Sequence, residues 1–581
     1  MSQTGNWRAK MTRRMNRFHA WRAARASVTT AFVSQPEPKS IGSYAKGRQL
    51  NAGNFLFAGQ LIEAQSVAIW DLNDVTDDFV DELQGFAWLD DLAAVGDDIA
   101  RGHAQDWILL WLERYGRGSG RGWRPDLTGR RLTRWINHSS FCLSEQPEAV
   151  ANAFYTSLAQ QTLFLSRRWH TVPTGLPRFE ALAGLIYASL SLHGMQRHVE
   201  PAVHALARAC SAHIDDTGAV PSRNPEELLE IFTLLTWTAG ALSDAGLMAD
   251  AALVQTIDRI APVLRTLRHS DGSLARFHGG GRGLEGRLDY ALASSGNTQR
   301  PSAEPHMGFV RLSAGRTSVI TDVAPPVTGE HSIDAHASTL AFELTSGRRP
   351  LIVNCGAGTN FGDDWRRAGR ATPSHSTLAI EGFSSSRLGT RQLIGGRVRE
   401  FLIDVPQSVR LETHTSEAVI GFVAAHNGYT PTHGLTHIRK IDLSTDGRGI
   451  VGEDTLATIT SADEAQFDLM TDKVTRQGVP FRIRFHLHPD VAVEHNVEDG
   501  TVAILLKSGE VWVFEHDGSA KLSVESSVYL EKDRLKPRGC KQVVLSAAAM
   551  DYATRVRWSL AKARGTPSAL RDLERDEDIL T

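Results

Sequence analysis

Residues 335–356 read AHASTLAFELTSGRRPLIVNCG. Leu340, Phe342 and Leu344 recur at every second position, the period of a strand with one apolar face. Ser346-Gly347 supplies a turn, and Leu351-Ile352-Val353 begins a second strand. Further toward the C-terminus the pattern repeats: Val502 to Leu506, a Ser508-Gly509 turn, then Val511 to Phe514 read as a hairpin. Many short strands joined by polar turns predict an antiparallel β-sandwich over residues 301–581.

Toward the N-terminus the period changes. Leu253, Ile257, Ile260, Leu264 and Leu267 step by four and three, which places them on one helix face, with Pro262 predicting a kink or a restart. The stretch from Leu228 to Leu242 is apolar nearly all round, as in a helix buried between neighbours. Short breaks such as Thr174-Gly175-Leu176-Pro177 and Asp216-Thr217-Gly218 separate the helices, and Gly279-Gly280-Gly281 with Gly283 opens a connection to about Pro305. The expected fold class is multidomain, α then β: a basic N-terminal arm over 1–50, a helical domain over 51–300 and the sandwich over 301–581.

A chain of 581 residues holds two cores of its own, and a formal net charge of −3 excludes whole-protein attraction to nucleic acid. The first 50 residues are an exception, with Arg8, Lys10, Arg13, Arg14, Arg17, Arg22, Arg25, Lys39, Lys46 and Arg48 against the single acid Glu37. Such an arm either contacts phosphate or lipid headgroups or is a frayed terminus. Arg13-Arg14 resembles a twin-arginine start, but His19, Arg22 and Arg25 interrupt the place of an apolar segment, and no later run is long enough to span a membrane. With Cys142, Cys210, Cys355 and Cys540 far apart, a reduced, cytoplasmic location is expected.

Chemistry-bearing residues gather at the start of the β half: His331, Asp334, His336, Asn354, Arg366, Arg367, Arg370 and His375. Asp334 and His336 share a strand face, and His336 with His375 and a third donor suits zinc in a three-plus-water geometry. Arg367 and Arg370 carry the forked donors that clamp a carboxylate. The alternative is two separate histidines satisfied by backbone and arginines on a solvated loop. Trp107 and Trp111, one helical turn apart, are expected in the core, and Asn137-His138 reads as a surface or helix-end pair.

In chain order, Ala335-His336-Ala337-Ser338, Leu351-Ile352-Val353-Asn354-Cys355-Gly356 and Thr372-Pro373-Ser374-His375-Ser376-Thr377 resemble the β-domain of the heparinase II/III family. The family pattern there is His-x-His-Ala-Asp, a strand ending in Asp-Pro-Gly, and Ala-His-Asn-Thr. The resemblance covers most of residues 60 to 570. It implies an incomplete (α/α) toroid followed by an antiparallel β-sandwich, and a polysaccharide lyase, related to alginate lyases, that cleaves an acidic, uronate-containing polysaccharide or oligosaccharide by β-elimination. Such a lyase neutralises the carboxylate, removes the C5 proton and protonates the leaving O4. The resemblance makes His336, Asn354 and His375 the zinc ligands, with the Zn2+ weakened by the neutral Asn354. Asp334 stands where the family has a catalytic histidine, and His331 is a candidate substitute. In the toroid, Asp216-Thr-Gly218-Ala-Val-Pro-Ser222-Arg223-Asn224-Pro225 resembles Asp-Gly followed by Ser-x-x-Tyr, with Pro225 at the tyrosine position and Arg223 and Asn224 left as catalytic candidates. Asp271 through His278-Gly279 resembles the segment joining the two domains. The resemblance also implies a cell-envelope or periplasmic alternative and leaves a homodimer possible. A non-catalytic carbohydrate-binding or scaffold protein on the same fold is the second reading.

Overall fold

Asn224 starts the helix Pro225–Asp244. Its side-chain oxygen accepts the N–H groups of Glu226 at 2.9 Å and Glu227 at 3.3 Å, while Pro225 fills the first turn, where an N–H has no partner in any case. The stretch from Leu228 to Leu242 is largely buried, because the helices Leu176–Ser191 and Ala251–Thr266 pack beside it. The helix Ala251–Thr266 continues through Pro262 without a break, so of the kink or restart expected there the restart does not occur. One backbone bond is lost there, and the buried Ile260, Ala261, Val263 and Leu264 hold the turn in place. The helices Pro125–Asn137 and Leu176–Ser191 meet backbone to backbone: a Cβ on Gly184 would stand 2.3 Å from the Gly129 carbonyl oxygen. Trp88, Trp107, Trp111, Trp123 and Trp135 form one buried aromatic cluster.

This computed structural model describes all residues except 1–2, 29, 35–37, 300–303, 395–396, 475–477, 533, 567–571 and 573–581. Glu37 and the boundary expected between 300 and 301 therefore lie outside the described residues. The helix Arg287–Ser294 precedes that boundary, and the strand Phe309–Ala314 follows it. The basic arm contains the helix Gln3–Ala23, docked on the helix Glu148–Arg168: Asn16 Oδ1 accepts from Arg168 Nε at 2.7 Å. Among the described residues no helix is long and apolar enough to cross a membrane.

From Phe309 on the described strands form two eight-stranded antiparallel sheets and two short pairs, Arg387–Leu388 with Leu402–Ile403 and Gln392–Ile394 with Arg397–Arg399. The first runs Lys521–Tyr529, Arg538–Ala549, Val479–Leu487, Arg349–Val353, Phe342–Ser346, Thr317–Asp322, Phe309–Ala314, with Leu378–Ile380 beside Val479–Leu487. The second runs Val409–Thr415, Val419–Tyr429, Leu435–Ser444, Gly449–Ala457, Ala553–Lys562, Val511–His516, Thr501–Leu505, Ala492–Asn496. The expected hairpin is present, with Val502 opposite Phe514 and Leu505 opposite Val511.

Between the sheets lies a core that includes Val319, Leu340, Phe342, Leu344, Leu351, Phe485 and Trp558. The other face of the first sheet meets protein, since Met307, Phe309, Ile320 and Ala341 belong to the core of the helical domain. The strands Thr317–Asp322 and Phe342–Ser346 are consequently buried on both faces, Thr321, Glu343 and Thr345 included. Burial requires polar groups there to find partners inside the molecule; Glu343 does, whereas Thr321 Oγ1 has none among the described residues. That requirement builds the site.

Candidate functional site

Asp322 ends its strand under the helical domain, fully buried. It accepts from Arg223 Nη2 at 2.6 Å and from Ser338 Oγ at 2.7 Å, and His278 Nε2 lies 3.2 Å from its second oxygen, off the line of a well-formed hydrogen bond. Burial would raise this carboxyl, but the Arg223 charge and the His278 contact outweigh it and hold the group well below the usual carboxylate range. Arg223 and His278 both adopt left-handed backbone, φ 55° and 47°, a conformation the surrounding contacts must maintain.

From His278 the chain of contacts continues into the β half. His278 Nδ1 accepts the backbone N–H of His336 at 3.2 Å, which leaves its proton on Nε2, facing Asp322. His336 Nδ1 and His375 Nε2 are 3.0 Å apart, and His375 Nδ1 lies 2.9 Å from the Ala371 carbonyl. A carbonyl only accepts, so His375 carries its proton on Nδ1 and its bare Nε2 accepts from His336 Nδ1–H. All three rings are buried. Burial lowers His278, with Asp322 partly offsetting it; burial and then the neighbouring His375 and His278 lower His336; burial brings His375 to about 4. The imidazoles are neutral at pH 7.

Asn354 lies one step further in. Its Oδ1 accepts the Ser376 N–H at 3.0 Å, and its Nδ2 and backbone N–H point at Glu343 Oε1 at 3.4 and 3.1 Å. Glu343 also takes the Arg276 N–H at 2.9 Å and faces His269 Nε2 at 3.4 Å. These residues do not make a zinc donor set. The two ring nitrogens that would bind the ion bond to each other, the amide oxygen is committed to a backbone N–H, and the described residues hold no group of three His, Cys, Asp or Glu suited to a metal.

The remaining expected residues divide between lining and scaffold. His331 and Asp334 are exposed, and Asp334 accepts from Arg366 Nη2 at 3.1 Å. Arg367 is exposed and paired with Glu400. Arg370 is buried and spends its guanidinium on the carbonyls of Ala335, Glu400 and Ser332 at 2.7–2.9 Å, with burial and then Arg366 lowering it to about 10. Three of its five N–H donors are thus taken by the chain itself, inside the protein. Asn224 caps its helix, and the neighbouring Glu226 pairs with Lys532. Arg223, besides Asp322, donates to the carbonyls of Met307, Gly308, Ala324 and Pro325 at 3.0–3.3 Å. Asn137-His138 is at a helix end as expected but buried, with His138 Nε2 2.8 Å from Asp90.

Sequence reasoning passed over Asp322 and Glu343, and it placed His278 in the segment joining the domains without assigning the ring a partner. A histidine ahead of three glycines signalled a turn, and the turn is what aims the ring at both domains. A second buried network lies in the other sheet: Arg439 chelates Asp454 at 2.8 and 3.0 Å, His437 bridges Asp454 at 2.7 Å and His426 at 3.2 Å, and Arg439 Nη1 reaches across to the carbonyls of Leu340 and Ser376 at 2.8 and 2.9 Å.

Residues 297–559 match the family described as heparinase II/III-like, C-terminal. This segment is a heparinase II/III-like C-terminal domain. Over 492 residues the chain is 29% identical to FtsZ-localized protein C of Caulobacter vibrioides, an alignment spanning 84% of this chain and 82% of that protein. Heparinase III has the same fold along 97% of this chain and 93% of its own, at a TM-score of 0.64 and 12% identity. A heparan sulfate lyase HepC mutant from Pedobacter heparinus follows it along 96% of this chain and 89% of its own, at 0.55 and 14%. The heparinase II/III-like domain and the helices before it thus reproduce a lyase architecture, and His278, His336 and His375 lie at the seam between them.

Proposed function

We propose that this protein uses the lyase fold to bind, as a carbohydrate-binding or scaffold protein, and does not carry out β-elimination. One observation carries the reading: Arg223, the cation that the helical-domain motif offers to neutralise a uronate, is sealed into the Asp322 ion pair and four carbonyls. The position that resembles the family tyrosine is Pro225, which has no proton to give, and Asn224 is occupied as a helix cap. The imidazoles of His336 and His375 face each other and not a cleft. The printed name of the Caulobacter relative supplies the partner to test first, FtsZ.

A second reading, a lyase acting on an acidic polysaccharide, is favoured by the near-complete overlap with heparinase III and by the exposed His331 and Asp334 on one loop. Incubation with heparan sulfate, alginate, hyaluronan and bacterial exopolysaccharides separates the two. Retention on a glycan array or co-sedimentation with FtsZ filaments, without a rise in the ultraviolet absorbance of an unsaturated uronyl product, supports the binder. A rise that disappears in His331→Ala or Asp334→Ala overturns it.

A further inference from the structure

Buried arginines are ordinarily matched by acids or carbonyls, and the sandwich side of the seam departs from that rule. Arg366 and Arg367 lie on the short helix Asp363–Gly369, Arg370 follows it, and Arg399 closes the strand Arg397–Arg399. Arg367 is neutralised by Glu400, and Arg370 bonds three carbonyls. Arg366 and Arg399 are less well served.

Arg366 is 7% exposed. Its Nη2 donates to the Ile333 carbonyl at 2.6 Å and to Asp334 Oδ1 at 3.1 Å, while its Nε is shut off from solvent and has no partner among the described residues. A buried charged donor left unmatched is costly. The Arg399 side chain is half-buried and forms no hydrogen bond or ion pair among the described residues; burial first and then the Arg366 charge lower it, and Asp334 and Asp363 offset this only in part. Asp334, the acid that both share, has a side chain 57% exposed and is therefore a screened counter-charge. Arg370 adds a third positive charge, close enough to Arg366 to be lowered by it. This excess stands at the mouth of the seam, since a Cβ on Gly279 of the helical segment would lie 3.0 Å from the Asp334 Cβ.

An anion at this place would relieve the repulsion and take up the idle donors. A carboxylate is planar and is best held by the two-pronged end of a single guanidinium. That end of Arg366 already serves Ile333 and Asp334. What is free is the Nε–H of Arg366 and the guanidinium of Arg399, donors on two different elements. Such a pair suits oxygens that are not coplanar and that carry full negative charge. We infer that Arg366 and Arg399 form a binding site for a tetrahedral oxyanion, the phosphate or sulfate group of an ester, at the sandwich side of the seam mouth. The site needs neither turnover nor FtsZ, so the glycan and filament experiments above can come out either way without deciding it.

The test is thermal melting of the full chain against sodium phosphate, sodium sulfate and sodium glucuronate, at an ionic strength held constant with sodium chloride. Phosphate or sulfate should raise the melting temperature saturably, and glucuronate should not. Both anions also stabilise proteins without binding, so the comparison that counts is with Arg399→Met. That side chain has no hydrogen bond to lose, and the variant should melt with the parent in chloride while its apparent affinity for the oxyanion falls at least about tenfold. Glucose 1-phosphate and glucose 6-sulfate, titrated in the same way, separate the two sources, and binding of either one supports the site. Parent and Arg399→Met responding alike to phosphate and sulfate overturns the proposal. So does glucuronate that binds as well as phosphate, which would mark a carboxylate subsite instead.

Discussion

Asp322 and Arg223 come from different domains, and each is the other's main partner in a space closed to solvent. Removing one member leaves a buried charge uncompensated, which costs about 3–5 kcal/mol. Asp322→Asn is therefore expected to lower stability by that amount in urea titration, whereas replacing the exposed Asp334 by Asn should change it by less than about 0.5 kcal/mol. The seam histidines act in the other direction. The unfolded chain takes up protons on these rings near pH 6.5, whereas His375 resists until about 4, so protons favour unfolding in that interval. Stability should fall as pH drops from about 6.5 to about 4, and His375→Gln should flatten that limb of a melting-temperature profile. Metal removal gives an independent check. Chelation should leave the melting temperature unchanged; stoichiometric zinc lost in His336→Ala would restore the three-ligand arrangement expected from the motif. The motif was legible here because His336 and His375 do meet. What a linear pattern could not reveal is that their nitrogens would bond to each other and that Asn354 would turn to Glu343 and Ser376.

Among elements, periodicity carried most of the information. Leu340, Phe342 and Leu344 do share the face between the sheets, and Leu228 to Leu242 is a buried helix. Alternation also misled. Glu343 and Thr345 look like the solvent side of a strand, yet the helical domain covers them. The period of a strand says which residues share a face, not what lies over that face. Glycines in helices show the same dependence on context. Gly184 presses on the Gly129 backbone, so Gly184→Ala should destabilise by about 1–3 kcal/mol, because two backbones must part to admit a methyl group. Gly102, in the helix Asp98–Tyr115, has nothing within 4 Å of where a Cβ would stand, and Gly102→Ala should stabilise by about 0.5–1 kcal/mol. Opposite shifts in thermal melts of the two variants are expected; shifts of the same sign would contradict the packing at the helix crossing.

For the whole molecule, the question is whether the helical ring and the sandwich are one cooperative unit. Interfaces between domains of one chain are commonly polar and permissive of motion. This one is apolar where Met307, Phe309, Ile320 and Ala341 continue the helical core, and among its polar ties two arginines make the most bonds. Arg223 pairs with Asp322. Arg276 reaches the carbonyls of Asn354, Cys355 and Leu530 and lies 4.1 Å over the Tyr529 ring. Both arginines sit in segments that a sequence reading assigns to a hinge or a catalytic loop, and both serve as pins. A chain tied in this way should unfold in a single calorimetric transition. Cutting both pins, with Asp322→Asn and Arg276→Ala, leaves each domain its own core while breaking the ion pair and the arginine–carbonyl bonds that couple them. The double variant should then show two transitions, the sandwich melting separately from the helices. A parent protein that already melts in two steps, or a double variant that still melts in one, would mean that the apolar seam alone decides the coupling.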